Sequence, residues 1–220
     1  MRDRTLGLGT AVAFGGLMAV TGLAGTPEAR AQDNPAHAHI GHVASGFSGT
    51  PDGVGLMEAA MAEAAVAARH AGLAAAAGDA SGMRTHAQHV LHALDPETVE
   101  GGPGGGYGLI RAAEGVARHI ELAAAAEGAS DGVAAHSVHI ATSARNTVHR
   151  ANRMIEIIAA MADSEDVASM AAELEELAAA LIAGVDANED GRVGWQEGEG
   201  GLDAAQTHLG LLMRSEGIGG

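Results

Sequence analysis

Apolar residues recur three and four positions apart along most of the chain, the period of a helix with one buried face. "VGLMEAAMAEAAVAARHAGLAAAA" predicts a long helix over 54–77, broken at Gly78-Asp79. "SGMRTHAQHVLHAL" predicts a second over 81–94, where Asp95-Pro96 stops it because proline disfavours helical geometry in the residue before it. Beyond the glycine-rich connector "EGGPGGGYG", "LIRAAEGVARHIELAAAAEG" predicts a third helix, and a longer fourth runs from about Ser130 to Ala162. A fifth, "SEDVASMAAELEELAAALIAGV", opens with Ser164 as N-cap and acids in its first turn. "GLDAAQTHLGLLMRSEG" is a short last helix. Almost nothing reads as strand, so the expected class is all-α.

The start of the chain differs. Arg2 and Arg4, the apolar run "LGLGTAVAFGGLMAVTGLAG" and Ala29-Arg30-Ala31 have the form of an export signal over 1–31. The glycines and threonines of the run and its A-x-A end favour cleavage over a retained membrane anchor. Gln32 then becomes the first residue of a periplasmic or secreted protein. Residues 32–53 hold turn formers, three histidines and no period, and are expected to be a flexible N-terminus. A histidine-rich bundle over 54–163 and a helix–loop–helix over 164–216 complete the expected organisation.

The bundle is internally repeated. Residues 66–94 lie over 115–144 so that His70 matches His119 at an offset of 49. His86 and His89 match His136 and His139 at an offset of 50, and the tetra-alanine runs 74–77 and 123–126 coincide. Alanine bias alone imitates such a match but does not place histidines in the same order. Each unit reads as a helical hairpin. At about 1.5 Å rise per residue, His70 lies level with His89, and His119 with His139, across the turns. Residues three apart share a face. Two such hairpins make a four-helix bundle, a setting in which bundles build metal sites from facing side chains. His92 and His149 fall outside the duplicated set.

Composition narrows the chemistry. The formal charge of −16 becomes −17 once Arg2, Arg4, Arg30, Asp3 and Glu28 leave with the signal, and lysine is absent. So acidic a protein repels phosphate backbones and anionic lipid and attracts cations. There is no cysteine, hence neither a disulfide nor a thiolate ligand, and C-x-x-C-H haem attachment is excluded. Imidazole suits copper(II), zinc, nickel or iron. A ferritin-like di-iron centre needs inward carboxylates that this pattern lacks. His37, His39 and His42 can capture the same ion from the N-terminal segment. A b-type haem between two imidazoles is the alternative, disfavoured by the scarcity of aromatic residues, and Met57, Met61 and Met83 read as core filling.

"DANEDGRVGWQE", residues 186–197, is the most specific motif. Asp186, Asn188 and Asp190 stand at positions 1, 3 and 5 of a twelve-residue loop, Gly191 at 6, Arg192 at 7 and Glu197 at 12. A hard cation takes six to eight oxygens, and this spacing supplies them, with glycine permitting the sharp turn. The stretch resembles an EF-hand, over about residues 170–212. The resemblance implies calcium held by Asp186, Asn188, Asp190, the Arg192 carbonyl and Glu197. The glycines of "WQEGEGG" depart from it by weakening the outgoing helix. EF-hands usually act in pairs and no second loop is found, so the resemblance implies either a weak lone site or pairing between two copies.

No hydrolytic constellation is present: there is no cysteine nucleophile, and "SGFSG" is no nucleophile elbow because no strand precedes it. The expectation is a non-enzymatic, exported calcium-binding protein whose bundle holds a transition metal through His70, His86, His89, His119, His136 and His139, for storage, buffering or transfer. A haem or His-metal redox protein, and a calcium-stabilised helical interaction module, are the alternatives.

Overall fold

The structure is a computed structural model that describes residues 34–219; the signal-like segment 1–31 and its cleavage point lie outside them. Among the described residues there are seven α-helices and no strand: α1 (Pro35–Ala44), α2 (Leu56–Ala75), α3 (Ala80–Leu94), α4 (Leu109–Ala125), α5 (Asp131–Met161), α6 (Val167–Ala183) and α7 (Leu202–Glu216). The chain is all-α, and no helix among the described residues is long and apolar enough to cross a membrane.

Small side chains set the packing. α2 buries Ala59, Ala60, Ala64, Ala67, Ala71 and Ala74, a stripe of methyl groups against which α3, α4 and α6 pack. Each methyl removed from water contributes roughly 0.8 kcal/mol, less than half of what a buried leucine gives. The larger share comes from fully buried residues such as Leu94, Leu109, Ile120, Ile140, Met154 and Leu181. α5, the longest helix at 31 residues, packs against α3, α4, α6 and α7. Helices of the 164–216 segment therefore share one core with those of 54–163.

Two sequence expectations change. Residues 32–53 were expected to lack structure, but Pro35–Ala44 are helical: Asn34 Oδ1 accepts the Ala36 N–H at 3.0 Å, and Pro35 takes the first turn. Ten residues are too few to stand alone. Ala36, Ile40 and Val43 are buried, and α1 lies chiefly on α4. Ser164 is not the cap of α6. Its hydroxyl accepts the Asp166 N–H one turn ahead of a helix that begins at Val167.

Polar side chains pin the connectors. The buried Glu63 carboxylate on α2 accepts the N–H groups of Tyr107 (3.1 Å) and Gly108 (3.4 Å), fixing the glycine-rich loop. His92 is buried and donates to the Pro103 carbonyl at 3.0 Å, a loop anchor on the third histidine of "HAQHVLHAL". Gly108 has φ 86°, and a Cβ there would lie 2.6 Å from the Pro96 ring, so only glycine fits this turn into α4. Arg84 donates to the Met161 and Ser164 carbonyls, closing the C-terminal end of α5. Earlier on α5, Asn146 and Arg150 donate to carbonyls of residues 196 and 198–200, tying the segment before α7 to that helix.

Replacing Glu63 with alanine leaves two buried N–H groups without their acceptor. The expected loss is about 2–3 kcal/mol, read as a lower urea midpoint with an unchanged slope.

Candidate metal centres

Nine of the twelve histidines gather into three triads, His39/His42/His119, His70/His86/His89 and His136/His139/His208, with each triad's ligand-capable atoms within 4.8 Å of one another. All three have one construction. Two imidazoles stand three residues apart on one helix, about one turn, and the third reaches across from a neighbouring helix. In the first triad His39 and His42 on α1 meet His119 on α4, with Nδ1–Nδ1 distances to His119 of 3.1 and 3.2 Å. In the second, His86 and His89 on α3 meet His70 on α2 at 3.3 and 3.2 Å. In the third, His136 and His139 on α5 meet His208 on α7 at 3.2 Å each.

These distances cannot all be hydrogen bonds. The Nδ1 of an imidazole has a single in-plane site, occupied by either a proton or a lone pair. His70 Nδ1 facing both His86 Nδ1 and His89 Nδ1 therefore satisfies one of them at most. The same holds for His119 and His208. Three lone pairs directed at one cation satisfy all of them. With metal–nitrogen bonds of about 2.0–2.1 Å, a tetrahedral ion sets its nitrogens about 3.3–3.4 Å apart, close to the two separations from the central ring of each triad, while the third pair lies within 4.8 Å. The triads can hold a metal ion.

Electrostatics favour the ligating state. His39, His70, His119, His139 and His208 are each held below the ordinary histidine value, first by burial and then by neighbouring imidazoles. Arg69 and Arg118 add to this at His70 and His119. A neutral ring keeps the lone pair a metal needs. Two of the chain's few aromatic residues flank the triads. Phe47 lies edge-on to His42 and His119, at 5.5 and 5.2 Å between centroids. Trp195 stacks on His139 at 4.0 Å and 25°.

The second triad is the set that the first hairpin was expected to gather, with His70 level with His89 and His86 about one turn nearer the loop. The second hairpin behaves differently: the structure places His119 with His39 and His42 of α1, while His136 and His139 turn to α7. Distance from a turn fixes height along a helix but not the side to which a residue faces. His39, His42 and His208 were not among the bundle ligands expected. A signal for His39 and His42 exists in "HIGHV", which repeats the pattern of "HAQHV" and "HSVHI", each H-x-x-H followed by a buried β-branched residue, Val43, Val90 or Ile140. His92 is the loop anchor already described, and His149 is exposed.

In the loop at 186–197, Asp186 accepts the N–H groups of Asp190 (3.1 Å) and Gly191 (2.8 Å), and Asn188 that of Asp190 (2.9 Å). Asp190 accepts the Arg192 N–H at 2.9 Å. Glu189 and Gly191 take φ of 61° and 86°. Glu197 is exposed, and the outgoing helix starts only at Leu202, past Gly198, Gly200 and Gly201. Glu199, not Glu197, is the buried acid, and it accepts the Gly194 N–H at 2.8 Å. The carboxylates of this loop do not form a fourth close cluster among the described residues.

Comparisons with protein-family models, with curated proteins and with solved structures gave no match. The functional reading therefore rests on the chain's own geometry.

Because the unfolded chain protonates His39, His70, His119, His139 and His208 near the ordinary value of 6.5 and the folded chain only at lower pH, the unfolded state binds more protons in between. Metal-free stability should be fullest above 6.5 and fall as pH drops through that value towards the lowered ones. Urea midpoints of the metal-free protein from pH 7.5 to 5 would reveal this fall; a flat profile would contradict it.

Proposed function

We propose that this is an exported metal-binding protein whose three histidine triads each take one transition-metal ion for storage, buffering or transfer. One observation carries the reading: in each triad a central Nδ1 faces two others at 3.1–3.3 Å, a contact set that a cation satisfies and protons do not. Three imidazoles without thiolate suit zinc, copper(II) or nickel. A haem held by two imidazoles places their nitrogens roughly 4 Å apart, twice a metal–nitrogen bond, with the macrocycle between them. The shorter separations favour a small ion. Repetition of one ligand set multiplies capacity, which suits metal handling better than catalysis. The export reading rests on the basic start, apolar run and A-x-A pattern of residues 1–31.

The test is stoichiometry. Native mass spectrometry of zinc-loaded protein should find three ions per chain, and two in each of His70→Ala, His119→Ala and His208→Ala. Unchanged stoichiometry in these variants would overturn the assignment.

The EF-hand resemblance adds calcium at residues 186–197. It is supported by Asp186, Asn188 and Asp190, whose side-chain oxygens turn into the loop, and by the positive φ of Gly191. The late start of α7 leaves Glu197 outside a helix, so the affinity should fall in the weaker, extracellular range of about 10⁻⁴–10⁻³ M. Calorimetric titration should detect such binding and lose it in Glu197→Gln. Wild-type protein that takes up no calcium would defeat this reading without touching the triads.

A further inference from the structure

The three triads share a ligand set but differ in what surrounds it and in what they join. Three aromatic residues besides histidine lie in the described chain: Phe47, Tyr107 and Trp195. Tyr107 carries Arg111 over its ring, 4.5 Å from the centroid. The other two are committed to the first and third triads, Phe47 against two ligands and Trp195 stacked on one. Among the described residues, the rings of the second triad meet only one another.

A ligand leaves a metal by rotating about its side-chain bonds. A ring stacked on indole or braced by a phenyl must first disturb that contact, whereas among the described residues no phenyl or indole ring bears on His70, His86 or His89. Groups around the ligands commonly change metal retention by about 10–100-fold. The chain path differs as well. The first triad joins α1 to α4 and the third joins α5 to α7, bridging segments 69 to 80 residues apart. The second lies within one hairpin, 16 and 19 residues apart, whose helices already pack on each other. Losing its ion frees no distant element, while losing the others removes a cross-link from α1 or α7.

We propose that the sites divide the work: the first and third triads retain their ions and clamp α1 and α7, and the second, His70/His86/His89, is the exchangeable site that hands its ion to an acceptor. The acceptor is a nitrogen or thiolate donor that enters beside the three imidazoles. As its bond to the metal forms, a histidine bond breaks, and repetition of that step transfers the ion without redox change. This division rests on the metal-binding reading of the triads.

Stopped-flow mixing of the three-zinc protein with excess chromogenic chelator tests it. One zinc per chain should leave at least about tenfold faster than the other two. His70→Ala should lose the fast phase and keep the two slow ones. Should that variant fail to fold by circular dichroism, His86→Gln serves the same purpose. Phe47→Leu and Trp195→Leu should each convert one slow zinc to fast release. Uniform release of all three ions, or a fast phase that survives removal of a second-triad ligand, overturns the division while leaving metal binding intact. Protein that takes up no zinc overturns the metal reading itself.

Discussion

Everything in the metal reading depends on how closely the helices approach. Nδ1 sits beside the ring carbon that carries the side chain, so it reaches less far from the backbone than Nε2. Imidazoles on two helices meet through Nδ1 only if the helix surfaces nearly touch. The chain provides this with small buried residues around the ligands: Ala71 beside His70, Ala87 between His86 and His89, Ser137 between His136 and His139, and Ala205 three residues before His208. At the second and third triads the small residues of a composition that looks like a poor core let the nitrogens approach to 3.2–3.3 Å. The cost is modest hydrophobic stabilisation per residue, and a bound ion adds stability by mass action where it is most useful.

How far the sequence could be read follows from the same geometry. Helical periodicity and the breaks at Gly78-Asp79 and Asp95-Pro96 located six helices, because those signals are local. The repeat placed His70, His86 and His89 together, because a short hairpin leaves few choices of partner. It misplaced His119, whose partners lie on α1, a helix of ten residues with too few turns to show a period. His208 was hidden for another reason. It stands alone on α7, and only the packing of that helix on α5 brings it to His136 and His139. The recurring H-x-x-H before a buried β-branched residue was visible in the sequence, and the cap-and-proline pair Asn34-Pro35 marked the start of α1. Neither carries weight until the neighbouring helix is known.

One helix links the two kinds of cation chemistry proposed. α5 carries His136 and His139, and about two turns later Asn146 and Arg150 hold the segment that leaves the 186–197 loop. Trp195, within that loop, stacks back on His139. The loop and the third triad are therefore mechanically continuous, through the indole on one side and α5 on the other. The glycines that depart from the EF-hand pattern have a packing reason here. A Cβ at Gly200 or Gly201 would lie 2.5 Å from Ser143 Oγ or 2.4 Å from the Ile182 carbonyl oxygen, so the chain gives up an early helix start to pass close to α5 and α6.

Ligation through Nδ1 by nine particular histidines is the central claim, and nitrogen-15 NMR of the histidine rings with and without zinc tests it most directly. On zinc addition, His39, His42, His70, His86, His89, His119, His136, His139 and His208 should show metal-bound Nδ1 and protonated Nε2. His37, His92 and His149 should stay as they were. Ligation through Nε2, or zinc-induced changes confined to those three other histidines, would contradict the account.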